Sequence, residues 1–179
     1  LTICGRDGKD QTYQIGSLIE LIWGIENPAA IINKIADKNI HIITLTITEG
    51  GYNIAKATNE FMLDNENIKY DLAHPQSPKT TFGFVAEGLR KRKAVGNGPI
   101  TILSCDNLQH NGNTARKAFL SFFQAQDPEL AEWATVNITF PNSMVDRITP
   151  STQPEDIIRL NTQNGTQDGA PVYCEDFIQ

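Results

Sequence analysis

Three short polar segments, each following an apolar run, contain the side chains of this sequence that are best suited to chemistry. They are Thr48-Glu49-Gly50-Gly51, Asp106-Asn107 and the segment 142–147. The side-chain amide of Asn107 offers a hydrogen-bond donor at a strand end, where chemistry could happen. The Glu49 carboxylate could accept from a sugar hydroxyl or orient a catalytic group, and the twin glycines would let a ribose or pyrophosphate approach the backbone. Together the three segments predict one ligand-binding crevice.

The same residues also admit purely structural roles. Asp106 and Asn107 could make local Asx turns with the backbone. Asp146 and Arg147 could pair with each other, which contributes about 0–1 kcal/mol at a surface. No serine or cysteine has an evident base partner, so a covalent nucleophile is not indicated. The G-x-G-x-x-G fingerprint of dinucleotide-binding domains is absent from the sequence.

Three predicted strands must position the polar segments. Ile100–Leu103 and Ile40–Thr48 are rich in β-branched residues, and Val136–Phe140 is the third such run. Ligands collect at the carboxyl ends of parallel strands. We therefore expect Glu49 and Asn107 to lie at the same edge of one sheet.

Helical patterns separate these strands. Helix starts are predicted at Asn27-Pro28, Ser77-Pro78, Asp127-Pro128 and Pro154, and another helix follows Asn111-Gly112-Asn113. The segment 53–76 is predicted to be irregular, 161–169 a loop, and 19–25 either strand or helix. Shorter strands are predicted at 1–4, 11–15 and 170–174. This alternation predicts an α/β fold, with a doubly wound, mainly parallel sheet and helices on both faces.

Length and composition indicate one ordinary globular domain. The 179 residues carry a net charge of −6, which argues against a nucleic-acid or anionic-membrane surface. The only dense basic cluster, 90–93, is interpreted as a solvated helix end. Cys4, Cys105 and Cys174 are odd in number and far apart, a pattern typical of reduced thiols in the cytoplasm. No metal site and no membrane span is indicated.

Four longer motifs carry a resemblance to a known family. They are Thr46-Ile-Thr-Glu-Gly-Gly-Tyr52, Asp71-Leu-Ala-His-Pro-Gln-Ser-Pro-Lys79, Ser104-Cys-Asp-Asn-Leu-Gln-His-Asn-Gly112 and Phe140-Pro-Asn-Ser-Met-Val-Asp-Arg-Ile-Thr-Pro150. In this order they resemble the long-chain polyol dehydrogenases, the family of mannitol 2-dehydrogenase and fructuronate reductase. The resemblance covers the whole chain. It implies a Rossmann-like amino-terminal domain that binds NAD or NADP and acts on a polyol or sugar acid.

The resemblance also implies roles for particular residues. Asn107 matches an asparagine that helps to hold the reacting oxygen, and it is expected to be catalytic and substrate-binding. Glu49 matches a glutamate beside the nicotinamide and is expected to be both cofactor-binding and catalytic, as a proton route for the family's catalytic lysine. Asp146 matches an aspartate suited to binding sugar hydroxyls. Gly5, Thr46 and Thr48 are the further expected cofactor contacts. NAD is favoured over NADP because Asp7 and Asp10 follow the first strand, although Arg6 could suit a 2′-phosphate.

Two family features are expected outside this chain: the glycine-rich strand–turn before Leu1, and a helical domain with the catalytic lysine after Gln179. The chain is therefore interpreted as a partial amino-terminal domain, inactive by itself, from a monomer or weak oligomer. Motif details, including Pro141-Asn142, are more similar to mannitol 2-dehydrogenase than to fructuronate reductase. A hexuronate reductase and a catalytically inactive nucleotide-binding module remain the alternatives.

Overall fold

The structure is a computed structural model that describes residues 2–4, 9–14, 16–145 and 148–176. It divides into two compact units, residues 22–144 and residues 1–21 with 145–179. The strands are β1 (Thr2–Cys4), β2 (Asp10–Thr12), β3 (Ile42–Leu45), β4 (Ile100–Ser104), β5 (Ile138–Thr139) and β6 (Tyr173–Glu175). The helices are α1 (Pro28–Ala36), α2 (Thr48–Gly51), α3 (Glu66–Ala73), α4 (Thr81–Ala94), α5 (Asn111–Gln126), α6 (Pro128–Asn137) and α7 (Pro154–Asn164).

A three-stranded parallel sheet organises residues 22–144. Its strand order is β3-β4-β5, and the register aligns Leu45 with Ser104. The predicted α/β fold with mainly parallel strands is therefore confirmed. Leu45 and Ile102 lie on a buried face, whereas Ile42 on the opposite face is 56% exposed and Thr44 beside it is also exposed. Within residues 22–144, the face that carries Leu45 and Ile102 is therefore the more deeply buried one.

Two helices of this unit, α1 and α6, begin where local chemistry predicts, whereas α4, predicted to start at Ser77-Pro78, begins at Thr81 with Thr80 as its cap. The Asn27 side chain accepts from the Ala30 amide and caps α1, and Pro28 follows at the first helical position. Asp127 caps α6 in the same way. The predicted apolar face of α5 is confirmed, because its four members are fully buried: Ala115, Ala118, Phe119 and Phe122.

Aromatic side chains fill the centre of the core. Phe82 on α4 lies 4.8 Å from Phe119 and 5.8 Å from Phe122, measured between ring centroids. Phe61 meets Phe82 edge-on at 5.1 Å. Such pairs contribute about 0.5–1.5 kcal/mol each beyond their buried area. This packing holds α4 and α5 together. Because α4 leads into β4 and α5 follows it, the packing also supports both ends of β4.

The prediction that 53–76 is irregular was wrong for its second half, which forms α3. Asn65 caps this helix by accepting from the amides of Asn67 and Ile68. Its polar composition hid the helix, although Ile68 is buried. Asp71, fully buried, accepts from the Lys79 and Thr80 amides and so ties α3 to the start of α4. This bond gives the motif 71–79 a structural role.

The unit of residues 1–21 and 145–179 contains the other sheet, ordered β2-β1-β6, with β1 parallel to β6 and antiparallel to β2. Arg159 on α7 binds the Asp10 carboxylate at 2.7 Å. The predicted 161–169 loop begins later than expected, because α7 continues to Asn164. The ambiguous segment 19–25 forms neither strand nor helix.

The basic cluster at the end of α4 is not simply solvated. Arg92 is 1% exposed, and its guanidinium donates to the carbonyls of Ile35, Asp37 and Gly98. Arg90 pairs with the Asp127 carboxylate at 3.0 Å. The prediction failed because it considered only the helix dipole, and the acceptors of Arg92 come from the end of α1 and the loop before β4.

Candidate functional site

The polar segments that follow β3, β4 and β5 lie at one edge of the parallel sheet. All three strands run in the same direction, and the register places Leu45 at the end of β3 beside Ser104 at the end of β4. The chain after β5 reaches the same edge, where the Ser143 hydroxyl donates to the Ser104 carbonyl at 2.7 Å. The Cys105 amide continues the ladder by donating to the Leu45 carbonyl at 2.8 Å. Glu49 and Asn107 therefore share this edge, which confirms the predicted architecture.

Asp106 joins the ends of β3 and β4 through its side chain. Its carboxylate accepts from the Thr48 amide at 2.8 Å and the Ile47 amide at 3.1 Å, both almost sixty residues away in sequence. The side chain is only 5% exposed. The local Asx turn considered from the sequence is therefore wrong for Asp106, which makes a long-range tertiary contact.

Tyr52 completes the buried polar group around Asp106. Its hydroxyl donates to the Asp106 carboxylate at 2.7 Å and lies 2.6 Å from the Ser104 hydroxyl. Burial raises the pKa of Tyr52 well above its ordinary value, because the phenolate would lose its hydration and face the neighbouring carboxylate. Tyr52 thus stays protonated and acts as a permanent donor.

The segment carrying Glu49 leaves the sheet in a strained turn. Thr48 has a φ of 65°, a left-handed conformation that is rare for a β-branched residue. The predicted strand Ile40–Thr48 therefore stops at Leu45, and α2 begins at Thr48. The Glu49 side chain is 64% exposed and pairs with Lys56 at 3.1 Å. Thr46 and Thr48 are also exposed at this edge.

Asn107 differs from its neighbour Asp106 in burial and in hydrogen bonding. Its side chain is exposed, and no hydrogen bond from it to another described residue is found. An exposed amide next to a buried, fully bonded carboxylate is available for a ligand. The structure thus places Asn107 at the expected edge without giving it a structural contact.

Asn111 was predicted only as a turn residue, yet it is a buried link between β4 and the segment after β5. Its amide donates to the carbonyls of Ser104 and Ser143, and its oxygen accepts from the Ser143 amide at 3.0 Å. Gly112 follows, where an added Cβ would lie 2.2 Å from the Pro141 carbonyl oxygen. The only available signal was an Asn-Gly pair at a helix start, and turn chemistry explains that pair equally well.

Two cavities lie beside this edge. One, of about 440 Å³, is lined by Ile47, Gly50, Gly51, Lys79 and Thr80, among others. The other, of about 310 Å³, brings Glu49 and Gly50 together with Leu108 and Gln109, the residues after Asn107. An added Cβ at Gly50 would meet no atom within 4 Å. The backbone at Gly50 is therefore open to a ligand, and these volumes fall in the range of small-molecule sites.

The structure does not bring the remaining predicted site residues together at this edge. Gly5 and Asp146 lie outside the described residues, as do Arg6 and Asp7. Asp10, one of the two acidic candidates for a ribose, is paired with Arg159. His74 and Lys79 have structural contacts: His74 stacks on Tyr70, and the Lys79 ammonium lies 3.6 Å from the centre of the same ring.

Two negative findings apply to the described part of the chain. It contains no group of three or more His, Cys, Asp or Glu side chains that could hold a metal ion. Among its helices, none has the length and apolar composition needed to cross a membrane.

A parallel sheet built from β-α-β units, with a polar crevice at the carboxyl ends of its strands, is typical of Rossmann-like nucleotide-binding domains. The family model described as the mannitol dehydrogenase Rossmann domain matches residues 2–179. The chain belongs to the mannitol dehydrogenase family, as the resemblance of its motifs implied.

Comparisons with individual proteins agree with this assignment. The chain is 46% identical over 179 residues to the polyol:NADP oxidoreductase of Gluconobacter oxydans (strain 621H), covering 100% of this chain and 37% of that protein. It is 42% identical over 176 residues to the mannitol 2-dehydrogenase of Phaeosphaeria nodorum, covering 98% of this chain and 31% of the relative. The chain thus spans about a third of the length of these relatives.

Solved structures show the same similarity. A substrate-free D-sorbitol dehydrogenase matches with a TM-score of 0.90 and 46% identity, over 98% of this chain and 36% of that one. The Pseudomonas fluorescens mannitol 2-dehydrogenase, in a ternary complex with NAD and D-mannitol, matches with a TM-score of 0.86 and 42% identity. That match covers 99% of this chain and 37% of the enzyme.

Proposed function

We propose that the complete polypeptide carrying this domain is an NAD(P)-dependent polyol dehydrogenase, which transfers a hydride between the cofactor and a polyol/ketose pair such as mannitol and fructose. The relatives named for polyol, mannitol and sorbitol oxidation support this proposal. The observation that carries it is the cavity in which Glu49 and Gly50 meet the residues directly after Asn107. The 179 residues themselves are proposed to be inactive without the rest of the polypeptide.

The cofactor fits the chemistry of the residues at this edge. The unobstructed backbone of Gly50 and the exposed hydroxyls of Thr46 and Thr48 would hold it, with Glu49 beside the reacting end. Gly5 is proposed as a further contact. When bound, NAD(P) supplies the hydride acceptor for alcohol oxidation.

The residues of the chain act on the substrate oxygen and hydroxyls. As the alcohol carbon is oxidised, its oxygen gains negative charge once its proton has been lost, and the Asn107 amide donates to that oxygen. Glu49 is exposed to solvent and could pass the released proton outward. Asp146 is proposed to accept hydrogen bonds from sugar hydroxyls farther from the reacting carbon.

The function is tested by steady-state oxidation of D-mannitol and D-sorbitol by the complete polypeptide, with NAD⁺ and NADP⁺ measured in parallel. Turnover of either polyol supports the proposal. Cofactor binding without any turnover would instead favour the inactive nucleotide-binding module. Faster oxidation of D-mannonate than of either polyol would identify the hexuronate reductase of the same family.

Cofactor preference is proposed to be NAD, tested by comparing the dissociation constants of the two cofactors. The sequence offered two acidic residues that could bind the adenosine ribose of NAD. Asp10 is paired with Arg159, so only Asp7 remains available for that role. The Gluconobacter relative is named for NADP, whereas the Pseudomonas complex holds NAD. Tighter binding of NADP would reject our choice.

Replacing Gly50 with alanine is expected to weaken cofactor binding about tenfold while leaving the melting temperature unchanged. The protein has room for the added methyl group, so only a closely approaching ligand would meet it. Overpacking of one methyl group typically costs about 1–3 kcal/mol, and each 1.4 kcal/mol is tenfold in affinity. The measurement is cofactor titration followed by fluorescence or calorimetry.

The matched control is Gly98→Ala. An added Cβ at Gly98 would also meet no atom within 4 Å, but this residue precedes β4 and lies at its amino end. Gly98→Ala should leave affinity unchanged. Equal affinities for wild type and Gly50→Ala would contradict a backbone contact at Gly50.

We further propose that the protein acts in the cytoplasm as a monomer or weak oligomer. Cys105 is a free, partly buried thiol, which suits a reducing compartment. Size-exclusion chromatography with light scattering on the complete polypeptide tests the oligomeric state.

A further inference from the structure

The Asp106 carboxylate is the junction of two strand ends. Three donors reach it: the amides of Ile47 and Thr48, and the hydroxyl of Tyr52. All three lie on the segment that carries Glu49, and Asp106 itself is the residue directly before Asn107. A single buried side chain thus connects the expected cofactor side of the crevice to the expected oxyanion donor.

The main-chain atoms on the Asn107 side are equally constrained. The Asp106 carbonyl accepts from the Leu108 amide at 2.8 Å and from the Asn111 side chain at 3.2 Å. Asp106 is therefore held at both its backbone and its carboxylate. Any movement of its side chain would change the separation between the turn at Thr48 and the loop at Asn107.

The turn at Thr48 needs this support. A β-branched residue in the left-handed region is strained, and it persists only where surrounding contacts hold it there. The contact that does so here is the 2.8 Å bond from the Thr48 amide to Asp106. Without it, the turn can relax toward an extended conformation and carry Glu49 away from the crevice.

We infer that Asp106 is a positioning residue for the reaction: its carboxylate fixes the Thr48–Glu49 turn against the Asn107 loop, so that cofactor and reacting oxygen meet in one geometry. The inference rests on the proposed function, since it assigns Asp106 an effect through Asn107. Asp106 itself is buried and has no role in contacting substrate.

Asparagine at this position has nearly the same shape but cannot replace the carboxylate. One oxygen could still accept from the Thr48 amide. The NH₂ group would then face the Ile47 amide, another donor, so one backbone group would be left unpaired. The Tyr52 hydroxyl could no longer donate to this position. It would have to accept a hydrogen bond from the new NH₂ group and donate to the Ser104 hydroxyl instead.

The test is a double-mutant cycle in the complete enzyme with Asp106→Asn and Asn107→Ala, using D-mannitol or D-sorbitol, whichever is oxidised faster. Misplacement of a catalytic group by about 1 Å costs roughly 100-fold in rate. We expect Asp106→Asn to lower kcat per folded molecule by about 10- to 100-fold. In the Asn107→Ala background the same change should lower kcat by a clearly smaller factor, because the amide that Asp106 positions is already gone and only the Thr48–Glu49 turn can still be misplaced.

Tyr52→Phe provides a milder second variant in case Asp106→Asn does not fold. It removes one of the three donors to the carboxylate, together with the hydroxyl beside Ser104. It should lower kcat by roughly 3- to 10-fold, again with a clearly smaller effect in the Asn107→Ala background. Rates are normalised to folded protein by thermal melts of every variant.

The outcomes separate the two hypotheses. If Asn107→Ala is slow but the cycle is additive, the proposed function stands and the positioning role is rejected. If the Asp106 and Tyr52 variants melt early but turn over normally, both residues are merely structural and the inference is again rejected. A normal rate for Asn107→Ala rejects the role of Asn107 and with it the inference, while polyol oxidation as the function stands. No polyol oxidation by the wild-type enzyme rejects the proposed function and the inference together.

Discussion

Asn107→Ala in the complete enzyme is expected to lower kcat by about 10²–10³ while leaving cofactor affinity nearly unchanged. The reason is that the alkoxide developing in the transition state needs a donor more than the neutral alcohol does. Loss of a preorganised donor of this kind costs roughly 2.7–4 kcal/mol of barrier in well-studied oxyanion holes. The measurement is steady-state oxidation of D-mannitol or D-sorbitol, together with cofactor titration.

A structural role for Asn107 predicts the opposite pattern. The substitution would then cost about a kilocalorie of stability and leave catalysis per folded molecule intact. The exposed side chain of Asn107 favours the catalytic hypothesis, because the substitution to alanine would remove no described hydrogen bond. Asn113→Ala is the matched control: it removes another exposed amide from the first turn of α5 and should change neither rate nor stability appreciably.

Asp146→Ala provides a contrast within the same assay. A residue that binds substrate hydroxyls should raise KM as well as lower the rate, and its effect should differ among polyols that vary at the contacted carbon. Equal effects on all polyols, with an unchanged KM, would remove Asp146 from the substrate site.

Replacing Arg92 with leucine is expected to lower the free energy of unfolding by about 3–5 kcal/mol, a large part of the stability of a typical domain. Leucine fills part of the space but leaves the carbonyls of Ile35, Asp37 and Gly98 without their donor. Each buried acceptor left unpaired costs about 1–3 kcal/mol before relaxation and water entry reduce the sum. Urea unfolding of the 179-residue chain provides the measurement.

Two variants show whether geometry or charge matters at this position. Arg92→Lys keeps a cation but loses the planar fork, so it should be intermediate in stability. Burial lowers the pKa of Arg92 because desolvation disfavours the charged guanidinium. Lys91→Ala, at the exposed neighbour, should change stability by less than about 0.5 kcal/mol. A loss below 1 kcal/mol for Arg92→Leu would contradict the proposed role.

Local patterns in the sequence were sufficient for most of the elements in residues 22–144. Asn27 and Asp127 act as helix caps, and the apolar face of α5 is buried, because capping and amphipathic periodicity depend on residues within one or two turns. The alternation of strands and helices likewise predicts the parallel sheet and the common edge of Glu49 and Asn107. The family could be recognised from four motifs in order, without any coordinates.

Tertiary structure alone decided which of two adjacent polar residues is structural. Asp106 and Asn107 have similar turn preferences, and nothing nearby in the sequence distinguishes them. Asp106 is buried because its partners, the amides of Ile47 and Thr48, come from another strand. Asn107 remains exposed because no such partner reaches it. A hydrogen bond between residues nearly sixty positions apart leaves no local periodic signal.

The same physical reason explains Arg92 and Asn111. A cation in a basic run and an asparagine before glycine have obvious local interpretations, a solvated helix end and a turn. The carbonyls that Arg92 binds belong to α1 and the loop before β4, and the partners of Asn111 belong to β4 and the segment after β5. The sequence by itself determined most of the elements and the edge at which chemistry is expected. The folded chain decided which buried polar groups hold that edge together, since their partners become neighbours only when the strands assemble.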